Sequence, residues 1–242
     1  MNNKKFFSVG GIAQVGTPPV SLISSFSSTS TTFNPYYNFI YGVCFHPTDG
    51  YLYTIERDTT NNSYYFVKRN ATTGAYISSS PSLSNNGYGT GLAITSDGSF
   101  WTIARTNPST LKKYNSGGVY QNYEFGVTGY YANLLAGDDN DIFYLTREST
   151  NTIYTYNTSG VGQGTFSIGT LSDKGLMHAS GTLHRATSGT QVYVRDIAGA
   201  TNVSSWNMPS TYKFRDTSDY DSTLGFAWIN AFTYVEKFTQ NF

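Results

Sequence analysis

The chain has 242 residues, 15 basic and 15 acidic, for a formal net charge of zero. That balance excludes the basic footprint of a nucleic-acid or anionic-membrane binder, and no run approaches the ~18 apolar residues of a membrane helix. Charged residues make up 12% and aromatic residues 17%, so Tyr, Phe, Ser, Thr, Asn and Gly stand where charge usually does, a composition that favours strands and turns over helices. The single cysteine, Cys44, rules out an internal disulfide and a cysteine-built metal site.

Residues 1–19 come first and fall outside any repeat. Two lysines precede the apolar, Gly-rich "FFSVGGIAQVGTPP", too diluted for a signal-peptide core. An extension of this kind adds as a strand to a partner's sheet edge, with Phe6, Phe7 and Ile12 as its anchors, or stays a disordered leader. "VSLISSF", Val20–Phe26, is the first clear strand.

From there the chain repeats itself. "GVCFHPTDGYLYTIERD" from Gly42 is matched by "GLAITSDGSFWTIART" from Gly91, "NLLAGDDNDIFYLTRE" from Asn133 and "GLMHASGTLHRAT" from Gly175. Each is an apolar strand, a polar turn and a second apolar strand. A third strand ending in an Asn- or Asp-led turn follows, as in "TLKKYNSGGVYQNY" and "TIYTYNTSGVGQGTF", and then a fourth. Second strands open at Tyr51, Ser99, Asp141, Thr182 and Thr223, a period of 41 to 48 residues. That is the period of a four-stranded propeller blade. The last unit, "TLGFAWINAFTYVEKFTQNF", stops after its third strand, and its first strand, near Tyr212–Asp216, is degenerate. Val20–Phe26 supplies the missing fourth strand and leaves no open edge. The expectation is an all-β chain: one β-propeller over residues 20–242, with five four-stranded blades closed by the N-terminal strand on the C-terminal blade.

The pattern G-L-A-I-x-x-D-G-x-F-W followed by L-K-K-Y-N-x-x-G resembles NHL-like and related propeller repeats across residues 36–242. The resemblance implies architecture. Such families include enzymes, scaffolds and binders, so it implies no activity.

Candidate functional residues gather at one end of the expected ring. The Asp-Gly pairs at Asp49–Gly50 and Asp97–Gly98, with Asp138, Asp139 and Asp141, sit where hairpin turns are needed and read as turn formers. His46, His178 and His184 have no zinc-motif spacing, and neither metal nor cofactor is expected. Cys44, between Val43 and Phe45, reads as a small buried residue.

At the opposite end an aromatic stands three residues before each first strand's opening position: Phe39, Tyr88 and Tyr130, with Tyr37 and Tyr131 beside them. Second strands return there and end at Arg57, Arg105 and Arg147. Aromatic faces and guanidinium groups suit sugars or a protein surface. The bland alternative is that the rings wedge between blades and the arginines pair with Glu56, Glu148 or turn carbonyls.

The first functional reading is a non-enzymatic propeller, because the composition resembles that of phage virion surface or tail proteins. It would be a receptor-binding component that recognises a host glycan or protein, in the virion or outside the cell, joined to other virion structural proteins through residues 1–19. The alternatives are a secreted lectin or interaction scaffold, and a propeller enzyme such as a lyase, lactonase or glycosidase. The enzyme would need a metal or two carboxylates at the channel mouth, and the chain has four glutamates, Glu56, Glu124, Glu148 and Glu236.

Overall fold

A computed structural model describes residues 20–27, 38–46, 48–58, 63–83, 89–104, 106, 108–127, 132–138, 140–147, 152–167, 175–179, 181–186, 191–197, 202–207, 216–217, 219–221, 226–230 and 234–240. Phe6, Phe7, Ile12, Tyr37, Tyr88, Arg105, Tyr130 and Tyr131 lie outside the described residues.

The chain opens with β1 (Val20–Ser27) and then runs through four antiparallel meanders. The first is β2 (Asn38–His46), β3 (Tyr51–Asp58), β4 (Ser63–Asn70) and β5 (Tyr76–Ser79). The second is β6 (Gly89–Ile94), β7 (Phe100–Ala104), β8 (Thr110–Tyr114) and β9 (Tyr120–Gly126). The third is β10 (Ala132–Gly137), β11 (Ile142–Arg147), β12 (Thr152–Asn157) and β13 (Gly162–Ser167). The fourth is β14 (Gly175–Ala179), β15 (Thr182–Ala186), β16 (Gln191–Asp196) and β17 (Asn202–Asn207). Two short strands, β18 (Asp216–Thr217) and β19 (Asp219–Asp221), precede β20 (Phe226–Asn230) and β21 (Tyr234–Gln240).

These strands form a propeller, closed as expected. β1 pairs antiparallel with β21, from Val20 opposite Gln240 to Ser27 opposite Tyr234, in a sheet ordered β1-β21-β20-β19. The expectation of five four-stranded blades is corrected: among the described residues the strands hydrogen-bond into four sheets. β18 pairs in parallel with both β14 and β2, and so joins two meanders into one nine-stranded sheet, β17-β16-β15-β14-β18-β2-β3-β4-β5. The degenerate first strand of the last unit is the cause. Residues 212–215 of that strand lie outside the described residues, and of β18 and β19 only β19, Asp219–Asp221, pairs with β20.

Burial follows position in the blade. Second strands lie between sheets on both faces, so β7 is buried at all five positions and reads as a continuous apolar run. Fourth strands rim the ring, and β9 and β13 are largely exposed, which is why they are polar. The core is the set of seams between sheets. Tyr53, Ile55, Phe66 and Phe100 fill the first seam, Trp101, Ile103, Phe143 and Leu145 the second, and Tyr144, Ile153, Leu176 and Leu183 the third. Cys44 is buried in the first, where its thiol donates to the Leu92 carbonyl across the seam at 2.9 Å.

Candidate functional site at the loop-bearing end

The two ends of the ring differ in what their side chains are committed to. At the turn end the carboxylates serve the hairpins. Asp49 accepts the Tyr51 N–H at 3.1 Å, the Tyr53 hydroxyl at 2.7 Å and Lys68 Nζ at 3.2 Å. Asp97 accepts the Ser99 N–H at 2.9 Å, the Thr95 hydroxyl at 2.7 Å and Lys113 Nζ at 2.8 Å. Asp138 accepts the Ile142 N–H and the Tyr144 hydroxyl, both at 2.9 Å. Burial raises the Asp97 carboxyl, but the bonds from Lys113, Thr95 and Ser99 outweigh it and hold the group below the usual carboxylate range. Burial pushes the Tyr53 hydroxyl up, and its bond to Asp49 pushes it further. These groups are turn-forming, as their spacing predicts.

Asp141 departs from the pattern. Its φ is +59°, close to the +73°, +76° and +78° of Gly50, Gly98 and Gly181, so it stands at the turn position held elsewhere by glycine. Its carboxylate reaches the neighbouring blade and accepts the Ser96 N–H and hydroxyl, each at 2.7 Å. Ile142, not Asp141, is therefore the equivalent of Tyr51 and Ser99. Arg147 then stands level with Glu56, one position short of Arg57. Side chains alternate along a strand, so Arg57 shares the face of Tyr53 and Ile55, which pack toward the second meander. The two arginines stand at different positions along their strands.

At the loop-bearing end the structure builds a row the repeat only hinted at. Phe39 lies inside β2 rather than in the preceding loop, directly opposite Arg57 on β3, and Arg57 is opposite Tyr64 on β4. The Arg57 guanidinium stands 6.0 Å from the Tyr64 ring centroid, within cation–π range. Tyr64 is 3% exposed, and its ring lies 5.7 Å from that of Tyr41. Tyr41 is the extra residue of a bulge, between Ile40 opposite Glu56 and Gly42 opposite Ile55. Bulges bend a strand and re-aim its side chains.

Glu56 does not serve Arg57. It is paired with Arg69, whose Nη2 and Nε donate to Oε1 at 2.7 and 3.1 Å, joined by the Thr54 hydroxyl at 2.6 Å. Both members are 3% exposed, and Glu56 Oε2 is buried without a hydrogen-bond partner.

β18 carries the remaining feature. Asp216 is opposite Gly175 and Thr217 opposite Leu176 on one side, and Thr217 is opposite Gly42 on the other. The strand lies close to β2, β6, β10 and β14, the first strands of all four meanders. Gly175 opens β14 at the loop-bearing end, so the backbone places Asp216 there, on the axis of the ring. The axial placement leaves no mark in the sequence, since two residues show no periodicity. Among the described residues no three His, Cys, Asp or Glu side chains gather into a metal-binding group.

No family model and no curated protein matches the sequence. Solved structures do match, and two are enzymes built as propellers. Glutaminyl cyclase from Myxococcus xanthus superposes with a TM-score of 0.67 at 12% identity, over 92% of this chain and 96% of that one. Virginiamycin B lyase from Staphylococcus aureus superposes with a TM-score of 0.51 at 15% identity, over 84% of this chain and 66% of the lyase. The likeness defines the fold class, a β-propeller. With 1087 solved chains matching, it carries architecture and no activity.

Proposed function

We propose that the chain is a propeller enzyme with its active centre at the loop-bearing mouth, around the axis of the ring, with Asp216 handling protons. The observation that carries this is β18: a ring built only to be rigid needs no acidic residue on its axis, yet the register sets Asp216 among the first strands. The virion-surface reading rests on composition, and the receptor-binding and lectin readings on an aromatic and arginine face of which Tyr37, Tyr88, Arg105, Tyr130 and Tyr131 lie outside the described residues, whereas the two named structural neighbours are enzymes, which supports the enzymatic alternative.

The near end-to-end correspondence with a glutaminyl cyclase makes cyclisation of a glutaminyl substrate the reaction class to test first. There the free amine attacks the side-chain carboxamide carbon, the C–N bond to the amide nitrogen breaks, and ammonia leaves. The proton lost by the attacking amine must reach the departing nitrogen, and one carboxylate suffices as the relay. General acid–base help of this kind contributes about 10²–10⁴-fold. Ammonia release from a glutaminyl dipeptide should therefore fall by roughly that factor in Asp216→Asn, with thermal unfolding unchanged. Equal turnover by the variant removes Asp216 from the mechanism. No turnover by the wild-type chain removes the reaction class.

A further inference from the structure

We infer that the cavity between the first and second meanders, at the turn end, binds one neutral sugar ring, a hexopyranose. The inference does not depend on the proposed reaction, whose centre lies at the opposite end.

The cavity holds about 300 Å³, the low end of the range for small-molecule sites. Lys68 and the serines at 78–80 line it from the first meander, Ser116 and Gly117 from the β8–β9 turn of the second. Its most buried lining residues are Tyr53 and Phe66, 4% and 1% exposed, whereas Ser78 and Ser116 are exposed. The inner side is therefore aromatic and the outer side hydroxylic, which matches the C–H surface and the hydroxyls of a pyranose.

The next seam shows that the fold does not impose this cavity. Phe66 pairs with Ile55, and Leu111 with Ile103, so the two hold the same place in their blades. Ser80 donates its N–H to the Phe66 carbonyl, and Phe125 stands opposite Leu111. Phe125 thus takes the place of Ser80, and Tyr123 that of Ser78. Both rings pack on Trp101 at 5.8 Å and cover what the serines leave open. The serine wall is also fixed. Ser80 Oγ accepts the Phe66 N–H at 3.0 Å and donates to the Pro81 carbonyl at 2.8 Å. The facing turn is pressed against it, since a Cβ on Gly118 would stand 2.7 Å from Ser80 Oγ. A site formed in advance loses little entropy on binding.

Charge selects a neutral ligand. Lys68 is the one charged residue in the lining, and its Nζ stands 3.2 Å from Asp49 Oδ2 and 3.9 Å from the Tyr51 ring centroid. An anion would have to share that ammonium with a carboxylate. Serine hydroxyls donate and accept alike, as sugar hydroxyls do. The turn adds a donor: in the third meander Asn157 Oδ1 accepts the Ser159 N–H at 3.0 Å, whereas among the described residues Asn115 Oδ1 accepts the Val119 N–H and leaves that of Gly117 to a ligand.

The test titrates the isotope-labelled chain with the methyl glycosides of glucose, galactose, mannose and N-acetylglucosamine, and separately with inorganic phosphate and sulfate. At least one glycoside should shift the amides of Lys68, Ser78, Ser79, Ser116 and Gly117 saturably, with a Kd of about 1–10 mM, the range open to so small a ligand. Ser78→Tyr, which supplies the side chain the second meander carries at that place, and Ser116→Leu should each weaken binding about tenfold or more, with thermal unfolding unchanged. Either variant serves if the other does not fold. Saturation by phosphate or sulfate alone overturns the sugar class. Glycoside shifts away from the cavity, or indifferent to both variants, overturn the site. No saturable shift with any glycoside overturns the inference outright.

Discussion

Arg69→Met tests how the first blade is held together. The substitution removes two donors to Glu56 Oε1, at 2.7 and 3.1 Å, and one to the Gly74 carbonyl, at 3.1 Å. The carboxylate left behind is 3% exposed, keeps the Thr54 hydroxyl as a donor, and already has one oxygen without a partner. Breaking such a pair from one side typically destabilises by about 3–5 kcal/mol, because the surviving charge stays out of water. The double variant Glu56→Leu/Arg69→Met removes both charges and fills the same space with apolar atoms. It should recover most of that loss, since apolar replacement of a buried pair is often neutral or stabilising. Urea unfolding followed by tryptophan emission measures both, with Trp101 fully buried as the reporter. A double variant as unstable as the single one would mean that packing, not the orphaned charge, is what Arg69 supplies. A single variant within about 1 kcal/mol of wild type would place the pair in water and refute the reasoning.

Three further outcomes follow from the same geometry. His184 is 2% exposed, and burial, with repulsion from His178 adding, pushes its imidazole down to about 4 from an ordinary 6.5. The folded pKa lies below the unfolded one, so this contribution is full above about pH 6.5 and is lost toward pH 4, about 3 kcal/mol in all. Denaturation midpoints across that window should fall in wild type and flatten in His184→Leu. Gly160 has φ +77°, and a Cβ there would stand 2.7 Å from Phe125 Cγ, whereas one at Gly181, φ +78°, meets nothing within 4 Å. Gly181→Ala should lose about 1–2 kcal/mol of backbone preference, and Gly160→Ala clearly more, as thermal melts of the two will show. Trp101→Ala should cost about 3–5 kcal/mol, read by chemical denaturation, because the indole fills the second seam beside Phe143 and bonds Thr95 Oγ1 at 3.1 Å.

What the sequence disclosed was whatever repeats. The strand–turn–strand unit recurs with its Asp-Gly turns, and the truncated last unit calls for Val20–Phe26, so ring and closure were both legible. The blade count was not. It depends on two residues, Asp216 and Thr217, leaving their own sheet to pair with β14 and β2, and no periodicity marks a two-residue strand. Register failed where chemistry stood in for conformation: Asp141 takes a glycine's backbone geometry because aspartate tolerates it, which moves Arg147 one position from where alignment by residue type puts it. Arg57 was visible as a strand-ending cation. Its platform, Tyr64, was not, because the two are joined only by cross-strand register. Glu56 likewise looked like a partner for its neighbour Arg57, although alternation sends adjacent residues to opposite faces and hands it to Arg69.

The claim on which the functional account turns is that ligands engage the loop-bearing end on the axis of the ring. Backbone amide shifts of the isotope-labelled chain, titrated with Gln-Ala, test it directly. The account predicts perturbations at Gly42, Gly175, Asp216 and Thr217, with Asp49, Asp97 and Asp138 unmoved. Shifts confined to those turn aspartates, or spread along the outer strands β9 and β13, would contradict it.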